Sequence, residues 1–335
     1  MRFRTYLIPL LLSIITFQGI FSQGMEELSS DTLRKINNRI KEGHERDNYE
    51  QIAQGYFDRA MHNFKLHLRD KDVIDDLISC ATIYRRIRND LGFYKARLAL
   101  ANFYIEQEIF LDEAIKLTAE AYQYYKEHGV IYQETKAVSQ LGKAYQRKLD
   151  YDKAIAYVEQ GLKSSIALGD TDMELSNRLL ITQLLGNLGN VEKVVEQGEF
   201  IIKKEENLGT EVYSAEANYL IGSNLLMDDQ ISKAISYLKS AVRLNNDIND
   251  LAYQSHSLLS KAYYALDSIS PAYISLLKAN EITNELYNQE KYAIANQSAV
   301  KYQSYEKDKE IRELEEDNEQ YAFKLTQRTR LFLII

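Results

Sequence analysis

Apolar residues recur along this chain at helical spacing, and that spacing itself repeats. Four segments carry an apolar residue, a mostly small one, two more residues, a large apolar residue and, nine positions on, an Ala or Val: Ala101-Asn102…Ile105…Ala114, Leu141-Gly142…Tyr145…Ala154, Ile181-Thr182…Leu185…Val194 and Ile221-Gly222…Leu225…Ala234. The successive Ala/Val positions are 40 residues apart, and a fifth copy, Leu259-Ser260…Tyr263…Ala272, follows 38 residues after the fourth. Seven residues beyond each Ala/Val stands Ala121, Gly161, Ile201, Ala241 or Ala279. Spacings of three, four and seven place side chains on one face of an α-helix. Short side chains at fixed places let two antiparallel helices approach closely, while the bulky residues between them fill the layer between pairs. Turn signals divide each unit. Leu149-Asp150-Tyr151-Asp152, Leu188-Gly189-Asn190 and Met227-Asp228-Asp229 fall within pairs, and His128-Gly129, Leu168-Gly169-Asp170 and Leu208-Gly209 fall between them.

The pattern predicts an all-α array of antiparallel helix pairs, and it resembles the tetratricopeptide (TPR) repeat. In that family the Leu-Gly pair and the following Tyr lie on the first helix of each unit, with the Ala and the second small residue on the second helix. Leu141, Gly142, Tyr145, Ala154 and Gly161 match best, and Gly222, Ala234, Ala241, Ala272 and Ala279 take the same packing positions in later copies. The resemblance covers roughly residues 95–285 and implies a superhelical solenoid. The third copy departs from the motif, with Thr182, Val194 and Ile201 where small residues belong, so its hairpin is expected to be more splayed. Residues 25–94 have helical periodicity, with Ile74, Ile78 and Ala81 in the register of a second helix, but no recognisable first-helix motif precedes them. They are read as a helical cap or degenerate repeat, because terminal repeats need a polar outer face.

Both ends of the chain break the pattern. Residues 1–24 begin with Arg2 and Arg4, continue through an apolar run from Tyr6 to Phe17, and reach a small residue, Ser22. They read as a signal peptide, the apolar core being short for an uncleaved anchor. Residues 286–330 are helical in composition and strongly charged over 306–319. Ile311, Leu314, Asn318, Tyr321, Leu325 and Arg328 alternate spacings of three and four, the seam of a coiled coil, with Asn318 where a buried amide sets register; a merely solvated helix is the alternative. Leu331-Phe332-Leu333-Ile334-Ile335 then reads as the start of a truncated transmembrane helix. This order resembles the sensory half of bacterial membrane proteins in which TPR arrays precede a membrane span and a cytoplasmic output, usually a histidine kinase core and sometimes a helix-turn-helix domain. The resemblance implies an exported chain on the periplasmic side, tethered to the inner membrane; the seam, where it is packed rather than solvated, would pair two chains through the C-terminal helix as a homodimer.

Composition narrows the chemistry. Only Pro9 and Pro271 among the 335 residues would interrupt a helix, and Pro271 falls near a helix start, where its missing N–H matters least. A net charge of −8 supplies no basic field for nucleic acid. Cys80 is the one cysteine, so no internal disulfide forms despite export, and buried packing is its expected role. Neither GxGxxG nor GxxxxGK[ST] occurs, the five histidines form no HExxH, and no Ser stands in a GxSxG elbow. Asp75-Asp76 and Asp228-Asp229 read as helix-start or turn carboxylates. No catalytic residue, metal ligand or cofactor is therefore expected, which leaves binding. In TPR arrays the first helices line the concave surface, and the repeat register places Lys143, Arg147, Gln183, Tyr219, Lys261 and Tyr264 there, a row suited to a protein or peptide partner. The functional expectation is the input region of a membrane-anchored signalling protein, a sensor histidine kinase before others. The alternatives are an exported scaffold without output and the sensory half of a helix-turn-helix regulator.

Overall fold

A computed structural model describes residues 31–65, 70–245 and 247–288. These residues form thirteen consecutive helices and, among the described residues, no strand. Helix α1 covers 31–45. Six helix pairs follow: α2 (Tyr49–Lys65) with α3 (Asp70–Arg86), α4 (Asp90–Glu106) with α5 (Leu111–Glu127), α6 (Ile131–Arg147) with α7 (Tyr151–Leu168), α8 (Thr171–Asn187) with α9 (Val191–Leu208), α10 (Ser214–Met227) with α11 (Ile231–Leu244), and α12 (Asp250–Ala265) with α13 (269–288). From α2 to α12 each helix packs on the next in sequence. From α4 to α12 the leading helices of neighbouring pairs also touch one another, which puts them on the inner, concave side of the solenoid.

The repeat positions lie buried between the helices. Ala114, Ala154, Val194 and Ala234 are fully buried, as are Ala121, Ile201 and Ala241 at the second position. At Gly142 a Cβ would stand 2.3 Å from Val158 Cγ2 and 3.2 Å from the Ala154 carbonyl oxygen, so only glycine lets α6 and α7 meet at this distance. At Gly222 the equivalent atom would lie 2.7 Å from Leu238 Cγ. Separate apolar clusters join neighbouring pairs: Leu184 of α8 packs on Ala154 and Val158 of α7, and Val194 of α9 joins Ile221 and Leu225 of α10 and Ala234 of α11. The α8/α9 pair, with the bulkier Thr182, Val194 and Ile201, is the least closely apposed of the five pairs α2/α3 to α10/α11.

Turns complete the units. Gly129, Gly169 and Gly209 hold φ near +67 to +68° between pairs, a left-handed turn that glycine adopts without Cβ strain. Within pairs that conformation falls on Glu108, Leu149, Gly189, Asp229 and Asp267. Asn89, Asp150, Asp170, Asn190 and Asn249 cap the helices that follow them through side-chain oxygens. Helix α10 has no such residue. Glu205 of α9 takes the role instead, accepting from the backbone N–H groups of Tyr213 (2.9 Å) and Ser214 (2.7 Å) and from Ser214 Oγ.

Two expectations change near the N-terminus. Helices α2 and α3 pack as a pair, and the buried stripe of α3 is Val73, Leu77, Cys80 and Tyr84, with Ile78 48% exposed and Ile74 and Ala81 at its edge. This pair precedes the next by 41 residues rather than 40, and an apolar residue follows each of three stripe positions (Val73-Ile74, Leu77-Ile78, Cys80-Ala81), so extrapolating the later period slips the register by one. Asp76, expected at a helix start or turn, lies inside α3, is buried, and accepts a two-pronged bond from Arg59 of α2, from Nε at 2.8 Å and Nη2 at 2.7 Å. Helix α4 starts at Asp90, so the 94/95 division falls within it, and α13 continues to 288. No helix among the described residues is long and apolar enough to cross a membrane. The leader at 1–24, the coil seam with Asn318 and the apolar residues 331–335 lie outside the described residues.

Candidate binding groove

The leading helices enclose one open groove of about 810 Å³, floored by α4, α6 and α8 and closed at its ends by α2 and the start of α10. Lys143, Arg147 and Gln183 of the expected row line it. Lys143 of α6 pairs with Glu106 of α4. Arg147 Nη1 stands 2.6 Å from Glu108. Gln183 accepts from Gln146 (3.2 Å) and donates to Glu216 of α10 (2.6 Å), so it links three leading helices in a chain of side chains. Tyr219 is half-buried on α10 and takes no part in the lining; burial, with Glu216 nearby, pushes its phenol up.

Lys261 and Tyr264 are placed elsewhere. They line a separate hollow of about 310 Å³ between α12 and α13, with Ile269, Tyr273 and Leu276. Tyr264 is 70% exposed there. The repeat register identifies which face of a helix looks inward; which repeats share one hollow depends on how the pairs curve, and that is not a local property of the sequence.

Several lining residues were not singled out from sequence. Lys95 Nζ lies over the Phe57 ring at 4.4 Å, and Lys136 Nζ over the Tyr132 ring at 4.9 Å. Tyr213 donates its hydroxyl to Asp172 at 2.8 Å; burial and that carboxylate both push the phenol up. A signal for six lining residues existed: Lys136, Ser176 and Glu216 stand at matching places 40 residues apart, and so do Tyr132, Asp172 and Val212. Beside the groove, Glu174 is buried between Arg178 Nε (3.0 Å) and Lys204 Nζ (2.6 Å). Burial pushes its carboxyl up, but hydrogen bonds from the two cations outweigh this and hold it below its ordinary range. Cys80 is fully buried, and burial pushes its thiol up to about 12, a packed and unreactive state. No cluster of three or more His, Cys, Asp or Glu able to hold a metal ion occurs among the described residues.

No protein-family model matches the chain, and no curated protein matches it in sequence. Solved structures do match in shape. A signal transduction ATPase with numerous domains (STAND) protein with a tetratricopeptide repeat sensor from Pyrococcus horikoshii superposes with a TM-score of 0.64 at 16% identity, over 80% of this chain and 42% of that one, so the chain spans under half of that protein. The apo form of the quorum sensor NprR from B. thuringiensis gives 0.59 at 15% identity over 80% of each chain. BtubC (BKLC) from P. vanneervenii gives 0.55 at 17% identity, over 64% of this chain and 91% of that one. Helix pairs in series, small residues at most of the crossings, leading helices on the concave side and these neighbours lead to one conclusion: the chain folds as a tetratricopeptide-type superhelical solenoid.

Proposed function

We propose that this chain is a binding module that holds a segment of a protein partner in the groove formed by α4, α6 and α8. The observation that carries this reading is the groove itself. Polar and apolar side chains from successive leading helices converge on one concave surface, with charged groups held in place by partners on the neighbouring helix. Pre-positioned groups lower the ordering cost of binding an extended segment. No reaction is assigned to the site. A photo-crosslinking residue in place of Ser176, inside the groove, is expected to yield an adduct with a partner in the source cells, whereas the same residue in place of Lys239, exposed on the trailing helix α11, yields none. Equal yields at the two positions, or none at Ser176, would overturn the reading.

The finer reading is that of an exported input region of a membrane-anchored signalling protein, a sensor histidine kinase before a helix-turn-helix regulator, paired through its C-terminal helix. Support comes from the leader-like residues 1–24, the charged seam around Asn318 and the apolar residues 331–335. Two of the structural neighbours are themselves named as a sensor or as bearing one. Sequencing the source DNA beyond the Ile335 codon tests it. A continued apolar span followed by a kinase core is the expected result, and an immediate stop would leave an exported scaffold.

A further inference from the structure

The groove's charges are sorted by position. Lys143 and Arg147 are neutralised by Glu106 and Glu108, which lie outside the lining. Lys95 of α4 and Lys136 of α6 rest on aromatic rings rather than on carboxylates. Toward the other end, Asp172 of α8 and Glu216 of α10 accept only from the neutral donors Tyr213 and Gln183. Unbalanced positive charge thus gathers on α4 and α6, and unbalanced negative charge on α8 and α10. Between them the matching position is held by the neutral Ser176, with the apolar Leu180 beside it on the groove floor.

We infer that the occupant of this groove is an extended peptide segment of opposite charge at its two ends, acidic side chains against Lys95 and Lys136 and basic ones against Asp172 and Glu216. Charge complementarity of this kind selects among partners and orients them more than it raises affinity. Helices in contact lie about 8–10 Å apart, so Lys136 on α6 and Glu216 on α10 are separated by roughly 20 Å. An extended chain advances about 3.3 Å per residue, which places the acidic and basic ends of the segment about six residues apart. A uniformly acidic or uniformly basic segment would meet repulsion at one end.

This inference rests on the groove reading above, and the test separates the two. Three fluorescein-labelled eight-residue peptides of one composition (two Glu, two Lys, two Ser, one Ala and one Leu) are titrated into the full chain by anisotropy at low salt. One carries both Glu at its N-terminal end and both Lys at its C-terminal end, the second is its reverse, and the third alternates the charges. One of the two segregated peptides is expected to bind roughly tenfold more tightly than the alternating isomer, the combined effect of several exposed pairs that are individually weak. Lys136→Glu should remove that preference, and Lys136→Glu with Glu216→Lys should transfer it to the reversed peptide. Equal binding of all three peptides, abolished by Ser176→Arg, would overturn the charge polarity and leave the groove as the binding site. Binding indifferent to Ser176→Arg, or no binding by any of the three, would overturn both.

Discussion

At the scale of single residues, two glycines of the same helical pattern have opposite prospects. A methyl group at Gly142 meets the β-branched Val158 and, behind it, the backbone nitrogen of Val158 and the carbonyl of Ala154, none of which can turn aside. At Gly198 it meets Ile221 Cδ1 and Cγ1, both 2.7 Å away, while the nearest backbone atom, the Ala217 carbonyl oxygen, stays at an ordinary 3.6 Å, so a shift of one side chain is enough to make room. Overpacking costs about 1–3 kcal/mol, while replacing a mid-helix Gly by Ala returns about 1 kcal/mol of helix propensity. Gly142→Ala should therefore lower stability by about 1–2 kcal/mol and Gly198→Ala should leave it nearly unchanged, as read by urea unfolding. Leu149 is a second informative residue. It is 70% exposed and holds φ at 61°, a conformation that disfavours a Cβ. Leu149→Gly should raise the unfolding midpoint, worth about 0.5–1 kcal/mol, since it removes strain without removing a buried contact.

Elements are joined here by a few buried polar residues that repeat-level reasoning does not supply. Glu174 ties α8 to α9 through Lys204 and to its own helix through Arg178, whose guanidinium also lies 3.8 Å from the Phe200 ring centroid. Its folded-state carboxyl is held below the ordinary value of 4.5, so the stabilisation it contributes is complete above that value and is lost as pH falls through the folded value. Glu174→Gln should lower stability at pH 7 by about 2 kcal/mol, the order of hydrogen bonds to a charged group. The difference between variant and parent should shrink below pH 4.5, measured by denaturant titration at several pH values; a gap that persists at low pH would show that the carboxylate charge is not what matters. Glu205 does comparable work for α10, whose own N-terminal residue supplies no side-chain cap.

For the whole molecule, contacts run almost entirely between neighbours in sequence, so stability is a sum of pair and interface contributions rather than one cooperative unit. A local lesson follows. Gly142→Ala should accelerate amide hydrogen exchange in α6 and α7, less in the adjoining α5 and α8, and leave α11 and α12 at parental rates. Uniform acceleration across all helices would instead indicate a single cooperative fold. The same nearest-neighbour construction makes the groove a property of several pairs at once: α4, α6, α8 and α10 each present a few side chains, and none of them forms a site alone.

Much of this was legible in the residues themselves. The 40-residue recurrence of small and large apolar positions determined helix pairs, their order and the buried place of Ala114, Ala154, Ala234 and Ala241, because helix geometry converts spacing directly into a face. The resemblance to the tetratricopeptide repeat implied an inner surface with Lys143, Arg147 and Gln183 on it, and these three stand in the groove lining. Where apolar residues stood side by side, as at Val73-Ile74 and Leu77-Ile78, the pattern was ambiguous by one position and only packing chose. Tertiary structure alone decided that Lys261 and Tyr264 belong to a different hollow, that Asp76 pairs with Arg59, and that a glutamate from α9 caps α10. Those facts depend on the angle between successive pairs and on residues far apart in sequence meeting side by side, and neither quantity is carried by any local spacing.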